Sequence, residues 1–209
     1  VVPTFNPVAA ICSGATAPVL PGTSTNGITG TWSPATVSNT ATATYTFTPS
    51  AGQCATTATL TVTVNPNVVP TFTPVAAICS GATLTALPTT STNGITGTWA
   101  PALSNTTTTT YTFTPTAGQC ATTTTLTITV NPNVVPTFNP VAAICSGATA
   151  PVLPGISTNG ITGTWSPATV SNTATATYTF TPTAGQCATT TTLTVTVNPN
   201  VVPTFTPVA

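Results

Sequence analysis

Two stretches of this chain alternate apolar and polar side chains, and the whole pattern returns about 67 residues later. Over residues 40–49, Ala41, Ala43, Tyr45 and Phe47 share one face, and Thr40, Thr42, Thr44, Thr46 and Thr48 share the other. Over residues 59–64, Leu60, Val62 and Val64 alternate with Thr59, Thr61 and Thr63. A period of two with one apolar face predicts half-buried antiparallel strands. Residues 49–53 between them have the length and the glycine of a hairpin connection. Shorter strands are expected over residues 9–13 and 28–32, joined by a turn-rich link over 18–26 in which Asn26-Gly27 suits positive φ angles. Residues 1–5 read as an edge strand, because Pro3 cannot donate to a ladder. That makes about six or seven short strands per copy, and the prolines and missing helix starts argue against helices.

The repeat is nearly verbatim. Val-Val-Pro-Thr-Phe begins at Val1, Val68, Val134 and Val201, and Asn-Gly-Ile-Thr-Gly-Thr-Trp begins at Asn26, Asn93 and Asn159. Copies one and three differ at Thr23/Ile156, Ser50/Thr183 and Ala58/Thr191. The middle copy is one residue shorter, with Pro-Ala-Leu-Ser-Asn at 101–105 where the first has Pro-Ala-Thr-Val-Ser-Asn at 34–39, which marks a surface loop. The expected domains are residues 1–67, 68–133 and 134–200, with 201–209 opening a fourth copy, so the chain reads as a window on a longer array. The period exceeds that of ordinary solenoids, so each copy is expected to be a small domain rather than one layer of a stack.

A domain of this size is near the lower limit for an independent core and should need a staple. Each copy carries two cysteines: Cys12 and Cys54, Cys79 and Cys120, Cys145 and Cys187. Six cysteines allow about 15 full pairings, of which periodicity leaves two attractive ones. Pairing within copies gives Cys12–Cys54, Cys79–Cys120 and Cys145–Cys187; a staggered scheme gives Cys54–Cys79 and Cys120–Cys145. Pairing within copies is expected, since each small domain then has its own cross-link, worth roughly 4 kcal/mol in the chain-entropy model. Disulfides place the chain in an oxidising, extracellular compartment. Two isolated thiols per copy without histidine are a poor zinc set, and neither metal nor cofactor is expected.

Composition narrows function sharply. The chain has no Asp, Glu, Lys, Arg or His. Nothing can serve as a general base near neutrality, and no base stands beside a Ser, Thr or Cys nucleophile. Nucleic-acid binding lacks its cations, and calcium sites lack their carboxylates. No run of about 18 apolar residues is present to cross a membrane as a helix. Threonine, about 60 of the 209 residues, supplies the polar strand faces that charged residues usually supply.

Cys12, Trp32, Tyr45 and Cys54, in that order, resemble the immunoglobulin-like sandwich. Tyr45 lies nine residues before Cys54, where a tyrosine corner would place it about two before, so a shortened bacterial version fits better. Gly-Thr-Trp-Ser-Pro at 30–34, Tyr-Thr-Phe-Thr-Pro-Ser-Ala-Gly-Gln-Cys-Ala at 45–55 and Leu-Thr-Val-Thr-Val-Asn-Pro at 60–66 resemble tandem immunoglobulin-like repeats of giant Bacteroidota surface proteins. That resemblance implies an adhesin-like protein of the cell surface, exported by type IX secretion, sometimes linked to gliding, with no catalytic residues.

Trp32, Trp99 and Trp165 are read as core tryptophans packed on the disulfide rather than as sugar-stacking platforms. Tyr45, Tyr111 and Tyr178 fall on apolar strand faces and are read as core. The proline-rich junctions, with Pro66 and Pro70, Pro132 and Pro136, Pro199 and Pro203, are read as stiffened joints. The expected architecture is therefore all-β: small immunoglobulin-like sandwiches with one disulfide each, strung as an extended rod. Its expected partners are further copies in the same chain and, through an uncharged Thr/Ala surface, neighbouring chains; neither nucleic acid nor membrane contact is indicated. The rival class is a ligand-binding array, for ice through the Thr rows or for glycans.

With the thiols bridged or blocked, no side chain titrates between about pH 4 and 9, so no side chain links protonation to folding in that range. Melting temperature, followed by circular dichroism, should stay within a few degrees across that range. A larger shift would contradict the argument.

Overall fold

The structure, a computed structural model, describes residues 1–205; residues 206–209, the end of the segment that opens the fourth copy, lie outside the described residues. The described residues form fifteen short strands and no helix, five strands to a copy rather than six or seven. In the first copy these are β1 (Ile11–Cys12), β2 (Gly30–Ser33), β3 (Ala43–Pro49), β4 (Ala58–Val62) and β5 (Val64–Asn65). The second has β6 (Ile78–Cys79), β7 (Gly97–Ala100), β8 (Thr109–Pro115), β9 (Thr124–Ile128) and β10 (Val130–Asn131). The third has β11 (Ile144–Cys145), β12 (Gly163–Ser166), β13 (Ala176–Pro182), β14 (Thr191–Val195) and β15 (Val197–Asn198).

Each copy builds the same two layers. The long alternating strand is central in a three-stranded antiparallel sheet, β2-β3-β4 in the first copy. Trp32 stands opposite Phe47, and Tyr45 opposite Leu60. The second layer is a two-residue parallel pair, Ile11 beside Val64 and Cys12 beside Asn65. The third copy repeats both layers, with β12-β13-β14 antiparallel and β11 parallel to β15. The hairpin expected at 49–53 is a longer connection, which turns at Gly52 (φ 88°) and runs on to β4 at Ala58.

Period two is what buries the core. Tyr45 and Phe47 are 1% and 0% exposed, as expected of core residues, and Val62 beside them is 0% exposed. Tyr111 and Tyr178 are buried likewise. The Tyr45 hydroxyl accepts the Ser38 N–H at 2.7 Å, and that of Tyr178 accepts the Ser171 N–H at 2.7 Å, so a buried phenol is satisfied as in a tyrosine corner despite its different spacing. In the third copy Trp165, Tyr178, Phe180 and Val195 form one cluster, flanked by Phe138, Leu153 and Ile161. The opposite sheet face is threonine. Thr44 meets Thr61 at 3.0 Å, Thr110 meets Thr127 at 2.8 Å and Thr177 meets Thr194 at 2.9 Å, hydroxyl to hydroxyl across strands.

Residues 1–5 do not join a sheet ladder as an edge strand. They are held by side chains of the 24–26 turn: Asn26 donates to the Val2 carbonyl at 2.9 Å and accepts the Thr4 N–H at 3.1 Å. Thr25 donates to the Thr4 carbonyl from both its amide and its hydroxyl. Gly27, at φ 84°, completes the turn expected of Asn-Gly. Among the described residues, no buried side-chain nitrogen or oxygen lacks a partner, a balance reached without any charged side chain.

The compact units do not follow the copies. One consists of Val1–Val75, Ala86–Leu103 and Thr110–Thr127; the other of Ala76–Thr85, Ser104–Thr109 and Ile128–Ala209. The second copy is thus divided between them. The first unit holds the whole 65–68 junction, and the second the whole 131–134 junction.

Gly163 opens β12 where a Cβ would strike the Thr181 carbonyl oxygen and lie 2.6 Å from Phe180 Cζ. The side chain beneath is core and the obstacle beside it is backbone, so neither can yield cheaply. Gly163→Ala should cost about 1–3 kcal/mol in denaturant unfolding. Gly155→Ala, whose nearest neighbour is the Gly163 carbonyl oxygen at 3.7 Å, should stay within about 0.5 kcal/mol. Equal effects of the two would refute this account of the packing.

Candidate functional site

The six cysteines gather at the joints between copies, and the strand layout explains why. Cys12 lies beside Asn65, the last strand residue before the chain leaves the copy, and the Ser13 N–H donates to the Asn65 carbonyl at 2.8 Å. Gly14, at φ 83°, turns the chain away, and Asn39 holds that turn by donating to the Ala15 carbonyl at 2.9 Å. The second cysteine sits at the other end. The Val1 amine donates to the Cys54 carbonyl at 3.0 Å, the Val68 N–H to that of Cys120 at 2.8 Å, and the Val134 N–H to that of Cys187 at 2.8 Å. One thiol of each copy therefore marks the chain's exit and the other its entry.

The residue before the second cysteine fixes the approach. Gln53 accepts the Thr29 N–H at 2.8 Å and donates to the Thr29 carbonyl at 3.0 Å. Gln119 on Thr96 and Gln186 on Thr162 repeat this fork. Cys54, Cys120 and Cys187 follow with φ of 47°, 45° and 46°, in the left-handed region. Cys54 is a free thiol and the other two are bridged, so this conformation belongs to the repeat and not to the bridge.

Exit and entry meet across a junction of only a few residues. Cys12 bonds Cys120, with Cα atoms 4.9 Å apart, and Cys79 bonds Cys187, with Cα atoms 5.0 Å apart. Both bridges span 108 residues. Pairing within copies (Cys12–Cys54, Cys79–Cys120, Cys145–Cys187) is overturned, and so is the staggered scheme of Cys54 with Cys79 and Cys120 with Cys145. The first cysteine of one copy takes the second cysteine of the next, because the two thiols of a single copy sit at its opposite ends. The bridges thus number two and join copies, rather than one in each. Cys54 and Cys145 are exposed free thiols.

The main chain at the junction is pinned on both sides of the bridge. Asn67 donates to the Ser13 carbonyl at 3.0 Å, before the Val68 N–H reaches Cys120. Asn133 on Ser80 and Asn200 on Ser146 repeat the contact. Pro70 and Pro136 are buried within their copies, whereas Pro66, Pro132, Pro199 and Pro203 are exposed. These Asn and Gln clamps were not among the residues singled out from sequence. Their signal was present: an identical amide side chain next to a cysteine or a junction proline in every copy.

The tryptophans sit elsewhere. Trp32 lies 4.7 Å from Phe5 and 5.1 Å from Phe47, ring centre to ring centre, and its indole N–H donates to the Pro21 carbonyl at 2.9 Å. Trp99 and Trp165 have the equivalent partners, with Phe72 and Phe113, and Phe138 and Phe180. The tryptophans, expected in the core against the disulfide, thus pack on phenylalanines, and of the three only Trp165 is buried, Trp32 and Trp99 being half-buried. A groove of about 200 Å³ runs beside Trp32, lined by Ala17, Pro18, Leu20 and Val37 among others. No protein-family model matches the chain, and no curated protein matches it significantly.

Alkylation under denaturing conditions without reductant should mark Cys54 and Cys145 and spare the other four cysteines. Peptide mass spectrometry should then recover Cys12 linked to Cys120 and Cys79 to Cys187. A Cys12–Cys54 linked peptide would restore pairing within copies.

Proposed function

We propose that this chain is a structural repeat region of an extracellular bacterial surface filament or adhesin stalk, and that its work is mechanical. The observation that carries this reading is the covalent tie between consecutive copies at each junction. A tie of that kind adds nothing to a catalytic or binding pocket, but it bears directly on how a string of domains resists being pulled or cut. Disulfides suit an oxidising compartment outside the cell. Among the described residues no helix is long and apolar enough to cross a membrane. The chain has no Asp, Glu, Lys, Arg or His to act as a general acid or base. The resemblance to Bacteroidota repeats extends the reading to export by type IX secretion.

A second reading, a ligand-binding array, draws on the outward threonine pairs such as Thr44 with Thr61. An ice-recrystallisation assay and a glycan array on the whole chain test it, and activity in either would displace the mechanical reading. For a stalk, each copy should advance about 35 to 45 Å, from the rise of about 24 Å of its longest strand, Ala43–Pro49 in the first copy, plus the turns and junction at its ends. Small-angle scattering on this chain should therefore give a maximum dimension of roughly 105 to 135 Å. A value well under about 90 Å would remove the physical support for a stalk.

A further inference from the structure

The two bridges overlap along the sequence. One encloses residues 12–120 and the other 79–187, so residues 79–120 lie inside both loops. Every peptide bond from Cys12 to Cys187 is consequently enclosed by at least one bridge. Pairing within copies would have left 54–79 and 120–145 enclosed by none. The bridge also runs alongside the junction it protects. Cys12 is in register with Asn65 on one side, and the Val68 N–H donates to the Cys120 carbonyl on the other. The peptide from Asn65 to Val68 and the Cys12–Cys120 bridge are therefore two covalent connections in parallel between the same two copies.

We propose that the overlapping bridges make the array tolerant of backbone scission, so that it still holds after any single peptide bond between Cys12 and Cys187 is hydrolysed. Hydrolysis adds one water across the C–N bond, leaving a carboxylate and an amine, and changes neither disulfide. The two fragments stay joined through whichever bridge encloses the cut. A cut in 79–120 has two such bridges, and any other cut has one. The purpose of this tolerance rests on the mechanical reading above, but the covalent result does not, so either can fail alone.

The composition supplies a clean test. The chain has no Lys or Arg, so trypsin has no site in it. Ala76 is exposed and lies outside the strands, between Cys54 and Cys79. Ala76→Lys creates a single site there, before Ala77. After trypsin, a denaturing gel and intact mass without reductant should show one species, heavier by one water. With reductant the same sample should give fragments 1–76 and 77–209. Adding Cys120→Ser should release the fragments without reductant, and adding Cys187→Ser should not. Ala142→Lys, in the equivalent exposed position of the next copy, reverses the dependence: Cys187→Ser releases its fragments and Cys120→Ser does not. The readout is covalent and made on unfolded protein, so a destabilised variant still reports. Separation of either Lys variant without reductant, all six cysteines present, overturns the proposal and leaves the stalk reading to the scattering measurement.

Discussion

Two residues of parallel pairing, Ile11–Cys12 beside Val64–Asn65, carry the first thiol of a copy to the place where the chain leaves it. The pair is small, yet the rest of the arrangement follows from it. A strand of the opening segment must lie along the closing one, so the first cysteine is committed to the exit. The Gln53 fork and the Val1 contact commit the second to the entry. Once the two thiols face opposite ends, no bridge can close within a copy, and the nearest available thiol belongs to a neighbour. In the chain-entropy model a loop of about 100 residues stabilises by about 4.7 kcal/mol, little more than a shorter one, since the effect grows only with the logarithm of loop length. The long loop therefore gains little in stability over a short one, yet changes connectivity greatly.

The antiparallel layer was legible because period two leaves a strong mark. The runs around Tyr45 and Leu60 alternate over enough residues to fix both strand and face, and the structure buries Tyr45, Phe47, Val62 and Val64, with Ala43 and Leu60 half-buried and Ala41, outside the strand, exposed. The parallel layer left no such mark. Ile11–Cys12 is two residues long, too short for a period, and its partner lies more than fifty residues away. The same gap explains the misread cysteines. Spacing along the chain cannot say at which end of a domain a thiol sits, and that alone decides its partner. Residues 1–5 were misread for another reason: their backbone groups are taken by Asn26 and Thr25 side chains, which compete with a ladder for the same atoms.

Apart from the terminal amine of Val1, neutral groups carry all of this. The threonine hydroxyl pairs, the amide forks of Gln53 and Asn26, and the Asn67 contact at the junction are dipole-to-dipole hydrogen bonds. In most proteins part of that work falls to ion pairs, whose strength depends on the ions dissolved around them. Counter-ions screen charges over roughly 8 to 10 Å at ordinary salt concentrations and only about 3 Å in strong brine. Here there are no side-chain charges to screen. The joints and sheet faces of this chain are accordingly built from contacts whose strength does not depend on ionic screening, from fresh water to the sea.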